Sequence, residues 1–426
     1  MFKERMGRRL KAEGTRRFAL PSTFHLLPST LILFATSLVF AQDALPPGAG
    51  KSLVETKCVA CHDLTNITRS GYDREGWRDN VHKMRNVGAP VAANEVEPIV
   101  DYLAKNFPEK PRPAAVLVPG EAKVKFHEWF VPTLGSRPHD PLLTPDGMLW
   151  YSGQFANLLG RLDPKTGKFT EFKLKKANSG PHGLVDDQQG NIWYTGNLSA
   201  HVGKLDPKTG NVTEYPMPDP AAKDPHTPIF DGKGRLWFTV QGGNEVGRLD
   251  PKTGEVKLVT SPTRNSRPYG IRVNSKDVPV FVEFGTNKVA TIDPETMAIK
   301  EWTLPDAGAR PRRLAITPDD VVWYTDYSRG FLGRIDLTTG KVDEFPSPSG
   351  PKSQPYGILA DGDVIWYSES NAKPNTLVRF DTKTHKFQSW IIPSGGGVVR
   401  HMVKGPDGRL ALALSGVNGV AIVEKQ

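Results

Sequence analysis

The chain has 426 residues but only two cysteines, Cys58 and Cys61. That scarcity excludes a disulfide framework and a thiolate-rich zinc site, which would need further ligands at matched spacing. Long hydrophobic runs are almost as scarce. The one apolar stretch near the N-terminus, Leu31 to Phe40, falls short of the roughly 20 residues that a membrane-spanning helix needs. Basic runs are missing once residues 1–41 are set aside. There Lys3, Arg5, Arg8, Arg9, Lys11, Arg16 and Arg17, against Glu4 and Glu13, account for five of the nine net positive charges. The remainder has the mixed charge of a solvated surface, without the basic stripe that nucleic-acid binding requires. Glycine (41) and proline (37) are plentiful instead, which favours a turn-rich β architecture over helical bundles.

The first 41 residues have the order of an export signal: a basic segment, an apolar stretch, then Val39 and Ala41 as small residues before Gln42. Cleavage there predicts a periplasmic or otherwise exported protein with no membrane span. If retained, the same stretch would act as an anchor.

The two cysteines fall in Cys58-Val-Ala-Cys61-His62, the pattern of c-type haem attachment. The thiols would form thioethers to the haem vinyl groups, and His62 would be an axial iron ligand. A thioredoxin-like disulfide motif would sit at a βα junction, whereas these flanks read as helical. The expected haem module covers residues 44–108. Asp73 predicts an N-cap for a helix that shares Trp77, Val81 and Met84 on one face. Asn94, with Glu97 three residues later, predicts the start of a second helix burying Val96, Ile99, Leu103 and Phe107. The sixth iron ligand should be a thioether or an imidazole, so Met84 is expected and His82 is the rival. Trp77, Val81, Met84, Gly88 and Tyr102-Leu-Ala-Lys-Asn-Phe107 resemble the small class I cytochromes c. A proline-rich linker, 109–120, is expected to be extended.

From about residue 124 the chain repeats. Arg137-Pro-His139, Gly180-Pro-His182, Asp224-Pro-His226, Arg267-Pro-Tyr269, Arg310-Pro-Arg312, Gln354-Pro-Tyr356 and a degenerate Val399-Arg-His401 recur every 43 to 45 residues. That period belongs to propeller blades. Each unit adds an aromatic second strand such as Ile192-Trp-Tyr194. A third strand ends like Gly203-Lys-Leu-Asp206, and an Asp-Pro-x-Thr-Gly turn leads to a fourth. Seven sets of three strands are followed by only six fourth strands, and a surplus strand at 124–132 precedes them all. The fold class expected is therefore an all-β seven-bladed propeller over 121–426, closed by 124–132 in the last blade, behind a small all-α cytochrome c domain.

First strands line a propeller's channel, so two rings should share one mouth. One is His139, His182, His226, Tyr269, Arg312, Tyr356 and His401. The other is Gly153, Gly196, Val240, Glu283, Asp326, Glu369 and Ala413. Their imidazoles and carboxylates could bind a metal or polarise a ligand. Pro268-Tyr-Gly-Ile271 followed by Phe281-Val-Glu-Phe-Gly-Thr-Asn287 resembles the streptogramin B lyases, seven-bladed propellers that open a cyclic depsipeptide by Mg²⁺-assisted elimination. The resemblance covers roughly residues 120–424. It implies catalytic roles for His226, Glu283 and the base position, and Mg²⁺ between His226 and Glu283. The base position here holds Tyr269, and Arg267 replaces a nearby carboxylate. A phenol with a pKa near 10 is a poor base at neutral pH.

The expected function is haem-based electron transfer by an exported c-type cytochrome. The propeller mouth would hold a small-molecule substrate, a metal or a redox partner protein. The alternatives are lyase-like C–O elimination and a non-catalytic binding scaffold.

Overall fold

In a computed structural model of the chain, residues 45–59 and 62–426 are described; the expected export signal and Cys61 lie outside them. Four helices come first: α1 (Lys51–Lys57), α2 (Thr65–Thr68), α3 (Arg74–Asn86) and α4 (Val96–Asn106). Asp73 caps α3, its carboxylate accepting from Gly76 N at 2.8 Å. Trp77 and Val81 of α3 pack on Ile99, Val100 and Leu103 of α4, with Val54 and Ile67 completing the core. The Trp77 indole donates to the Phe107 carbonyl at 2.8 Å, so the largest side chain of this core leaves no polar atom unpaired.

The start of α4 differs from the Asn94/Glu97 expectation. A 3₁₀ turn, Ala93–Glu95, precedes the helix, and the Glu95 carboxylate takes the Ala92 N–H at 2.8 Å. Pro98 has no N–H to offer, so it belongs in a first turn, where none is needed. Glu97 is left to pair with Arg74 (2.6 Å) and Arg78 (2.8 Å) across the helix pair.

The proline-rich segment is laid along blade 6 instead of spanning free solvent. Lys373 N donates to Pro113 O (2.9 Å), Ser389 N to Val118 O (2.9 Å) and the Gln388 amide to Ala122 O (2.6 Å). Glu109 pairs with both Arg112 and Lys373.

Seven four-stranded antiparallel sheets follow. Blades 1 to 6 cover 138–173, 181–216, 225–260, 268–303, 311–346 and 355–391. Blade 7 takes its inner three strands from 399–425 and its outermost from Val124–Phe130, which pairs antiparallel with Gly419–Lys425. The ring is thus closed by main-chain hydrogen bonds between the two ends of the domain, which leaves no blade short of a strand.

The recurring glycine of the third strand has a steric cause. Gly160, Gly203, Gly247 and Gly333 lie opposite Tyr151, Tyr194, Phe238 and Tyr324. Each aromatic ring lies across its glycine so closely that a Cβ would overlap it. The rings are thereby sealed between strands, and Tyr151, Tyr194, Phe238 and Tyr324 are fully buried. Burying such a side chain contributes about 1.5–3 kcal/mol to each of these four blades.

Candidate functional site

Every innermost strand carries a bulge at one place. Pro138 pairs with Gly153 and Pro141 with Tyr151, so His139 and Asp140 together face a single residue, and the same shift recurs in all seven blades. A regular strand would send these neighbours to opposite faces; the bulge turns both toward the axis. The N–H freed by the bulge is satisfied by a hydroxyl of the second strand. Asp140 N donates to Ser152 Oγ (3.0 Å) and Gly183 N to Thr195 Oγ1 (2.9 Å). These hydroxyls in turn donate to the next blade: Ser152 to His182 O, Thr195 to His226 O and Thr239 to Tyr269 O, each at 2.6 Å. The Ser/Thr of the second strand therefore tie ring residues to neighbouring blades, a role sequence reasoning missed although the Trp-Tyr-Ser/Thr pattern carries it.

The register corrects one member of each expected ring. Val399 pairs with Leu414, as Pro138 does with Gly153. Arg400, not His401, is therefore the seventh member of the first ring, and Leu414 replaces Ala413 in the second. The degenerate repeat lacks the proline that marks the position elsewhere, so the adjacent histidine drew the alignment one residue too far. His401 belongs to the next layer, with Asp140 and Arg313.

The first ring is packed in sequence order. The His139 and His182 rings lie 3.5 Å apart between centroids, His182 and His226 3.8 Å, and His226 and Tyr269 3.9 Å. Burial pushes His139, His182, His226 and His401 well below the ordinary imidazole value, and nearby arginines push the same way, so all four are neutral at pH 7. The Tyr269 and Tyr356 hydroxyls share a hydrogen bond. Burial raises the Tyr269 phenol above its usual value. For Tyr356 burial acts in the same sense, but the Arg312, Arg400 and Arg313 charges outweigh it and bring that phenol down.

The second-ring carboxylates face the seams between blades. Glu283 accepts from Ser261 Oγ (2.5 Å) and Thr286 Oγ1 (3.1 Å). Glu369 takes Ser349 N (2.7 Å) and the hydroxyls of Ser347, Ser349 and Thr376. Asp326 takes the Arg310 N–H (3.0 Å) and the Arg329 guanidinium (2.7 Å). These groups brace the loops.

The Mg²⁺ expectation at His226 and Glu283 finds no support in this donor set. The Glu283 carboxylate is held by two hydroxyls, and His226 Nδ1 engages Thr227 Oγ1 at 2.9 Å. Among the described residues, the His, Cys and carboxylate groups close enough to share one ion are His139, Asp140 and His182, with ligand atoms within 4.8 Å of one another. Asp140 is already paired there with Arg313 at 2.9 Å, and a buried guanidinium repels a divalent cation.

Arginine dominates the mouth instead. Arg312 is wedged among four rings, its Cζ 3.8 Å from the Tyr356 centroid, 4.2 Å from Tyr327, 4.7 Å from Phe284 and 5.1 Å from Tyr269. Arg272 reaches His401 Nε2 at 3.3 Å. Burial pushes Arg137 down to about 9 and Arg272 to about 10, while Asp140 is pushed up to about 6.

Above the mouth a cavity of about 1340 Å³ is bounded by α3 and the linker on one side and by blades 5 to 7 and blade 1 on the other. His82 and Met84 both line it, together with Arg137 and Arg400. Within the helical module Cys58 ends α1, half-buried, and burial raises its thiol pKa. His62 Nδ1 donates to the Asp63 carbonyl at 2.8 Å, which leaves Nε2 as the nitrogen available to a metal. Those residues fit a covalently held haem with His62 as a ligand.

Fold and site together define a seven-bladed β-propeller with a basic, aromatic mouth and an N-terminal helical module. The virginiamycin B lyase family matches residues 119–346 and 280–426, and the chain belongs to that family. It is similar to the structure of a streptogramin B lyase, with 26% identity over 71% of this chain and 98% of that one and a TM-score of 0.65. It is also similar to the virginiamycin B lyase of Staphylococcus aureus, with 23% identity over 71% and 99% of the chains and a TM-score of 0.64. Hydrazine synthase of Kuenenia stuttgartiensis shares the fold, at 15% identity over 67% and 95% of the chains with a TM-score of 0.57. No curated protein matches the chain. Among the described residues no helix is long and apolar enough to cross a membrane.

Proposed function

We propose that this protein is an exported c-type cytochrome in which haem is held through Cys58 and Cys61, with His62 as one axial ligand and Met84 as the other. The propeller mouth binds the substrate or redox partner. The observation that carries the reading is the Cys58–His62 motif on a helical module, in which the His62 Nδ1–H is committed to the Asp63 carbonyl and Nε2 is left for iron. The haem would supply one-electron transfer. The chain's own residues orient the His62 imidazole, hold α3 against the mouth and enclose the cavity between them. His82 also lines that cavity and is the competing sixth ligand.

Lyase-like elimination rests on family membership, and the site argues against it. The Tyr269 phenol at the base position holds its proton, and Arg267 stands where the resemblance implies a carboxylate. The test is haem staining of the purified protein after denaturing electrophoresis, followed by absorbance of the reduced α-band while candidate substrates are added. Covalent haem that is lost in Cys58→Ser and reduced by a substrate supports the reading. A protein without covalent haem after expression with a cytochrome c maturation system refutes it. Mg²⁺-dependent ring opening of a streptogramin, abolished by Glu283→Gln, would favour the lyase.

A further inference from the structure

The mouth concentrates positive charge that its own side chains do not neutralise. Arg312, Arg313 and Arg400 occupy the bulges of blades 5 and 7, and Arg137 and Arg272 are close enough to feel their charge. Among the described residues, the carboxylate within hydrogen-bond reach of this group is Asp140, which meets Arg313 Nη2 at 2.9 Å. Arg313 is 1% exposed, yet its Nε and Nη1 have no partner. Arg312 Nε, Arg400 Nε, His182 Nδ1 and His401 Nδ1 are likewise buried without partners. A concentration of unpaired polar atoms in one place, the guanidinium N–H groups above all, is unusual, because each costs free energy when it is removed from water.

The geometry points to a binding site for a small oxyanion at the propeller mouth, a carboxylate or an inorganic oxyanion held by Arg312, Arg313 and Arg400. A guanidinium presents paired N–H groups that match two oxygens of such an anion. The aromatic walls hold Arg312 in place before a ligand arrives, so little side-chain freedom is lost on binding. A cationic ligand is disfavoured because Arg312 itself fills the space among the four rings. Of the three arginines, Arg400 lines the 1340 Å³ cavity together with Arg137, so the positive surface continues outward from the ring through Arg400. The proposal supplies a substrate class for the redox reading of the same mouth; its test reads binding, so the two can fail separately.

Isothermal titration calorimetry on the full-length holoprotein at low ionic strength would use inorganic phosphate, sulfate, acetate and succinate, with tetramethylammonium chloride as the cationic control. The expected result is saturable binding of at least one anion. Arg312→Gln and Arg400→Gln should each weaken it tenfold or more, whereas the exposed Lys208→Gln should leave it unchanged. Preference for phosphate or sulfate would assign the site to inorganic oxyanions, and preference for succinate to organic acids. Arg400 is only partly buried, so Arg400→Gln remains a fair test if Arg312→Gln proves unstable. Absence of binding by all four anions at millimolar concentration, or equal binding by wild type and Arg400→Gln, would overturn the proposal.

Discussion

Gly135→Ala compared with Gly147→Ala tests whether the helical module is seated on the propeller mouth. Both glycines have positive φ, +66° and +82°. An alanine at either position incurs the left-handed penalty of about 1–2 kcal/mol. Only Gly135 has neighbours: a Cβ there would lie 2.8 Å from His82 Cβ and closer still to the backbone of Lys83, whereas a Cβ at Gly147 meets nothing within 4 Å. Those neighbours belong to α3, which also donates from the Asn86 amide to Leu134 O at 2.8 Å. Forcing a methyl into such a contact costs a further ~1–3 kcal/mol. Gly147→Ala should therefore destabilise the protein by about 1–2 kcal/mol, and Gly135→Ala by about 2–5 kcal/mol. Urea unfolding followed by tryptophan fluorescence measures both. Cleavage after Glu109 by a glutamyl endopeptidase should accelerate only in the Gly135 variant, because a displaced helical module loosens the linker that follows it. Equal destabilisation by the two substitutions, with unchanged cleavage, would refute the seating of α3 on the mouth.

Burial pushes the Asp224 carboxyl up to about 7, only partly opposed by the Asn197 amide and Arg267. Between about pH 4 and 7 the folded state keeps a proton that the unfolded chain has released. Stability therefore falls as pH rises through that window, by roughly 3 kcal/mol after allowance for partial exposure. Asp224→Asn should accordingly gain on wild type between pH 5 and pH 8 in paired urea titrations; parallel curves would contradict this. Val131 is 3% exposed at the end of the closing strand, and its N–H meets Asn418 O at 2.9 Å. Val131→Ala should cost about 2 kcal/mol and lower the thermal midpoint, because two carbons leave a packed seam. Gly203→Ala should cost at least as much, since its methyl would enter the Tyr194 ring; near-UV circular dichroism should show that ring displaced, and an unchanged spectrum would count against the steric account.

The propeller was legible because its signals are local and repeated. Proline at each blade start, an aromatic second strand and Asp-Pro-x-Thr-Gly turns recur at a fixed period, and counting strands exposed the surplus one at 124–132. The Cys58–His62 pattern is local in the same way, since five consecutive residues carry it. The α4 boundary was misplaced by two residues, because Glu95 and Glu97 offer equivalent capping chemistry and only the backbone decides between them. The last blade was misread by one residue where the repeat loses its proline. Glu283, Asp326 and Glu369 looked like a ring of ligands, and the sequence could not show that each accepts hydrogen bonds from the loops beside it.

What the chain alone determined is the repeat architecture, the number of blades and the presence of a Cys-x-x-Cys-His motif ahead of them. These follow from periodicity and short-range stereochemistry, which each segment carries whatever its surroundings. The tertiary structure decided which side chains meet. The bulges turn Asp140, Arg313 and His401 onto the axis beside the ring, and the linker lies bound along blade 6. The helix α3 closes over the mouth against Gly135. Such contacts join residues as distant as Asp140 and Arg313. No local pattern encodes them, because they depend on the register and curvature of the whole ring.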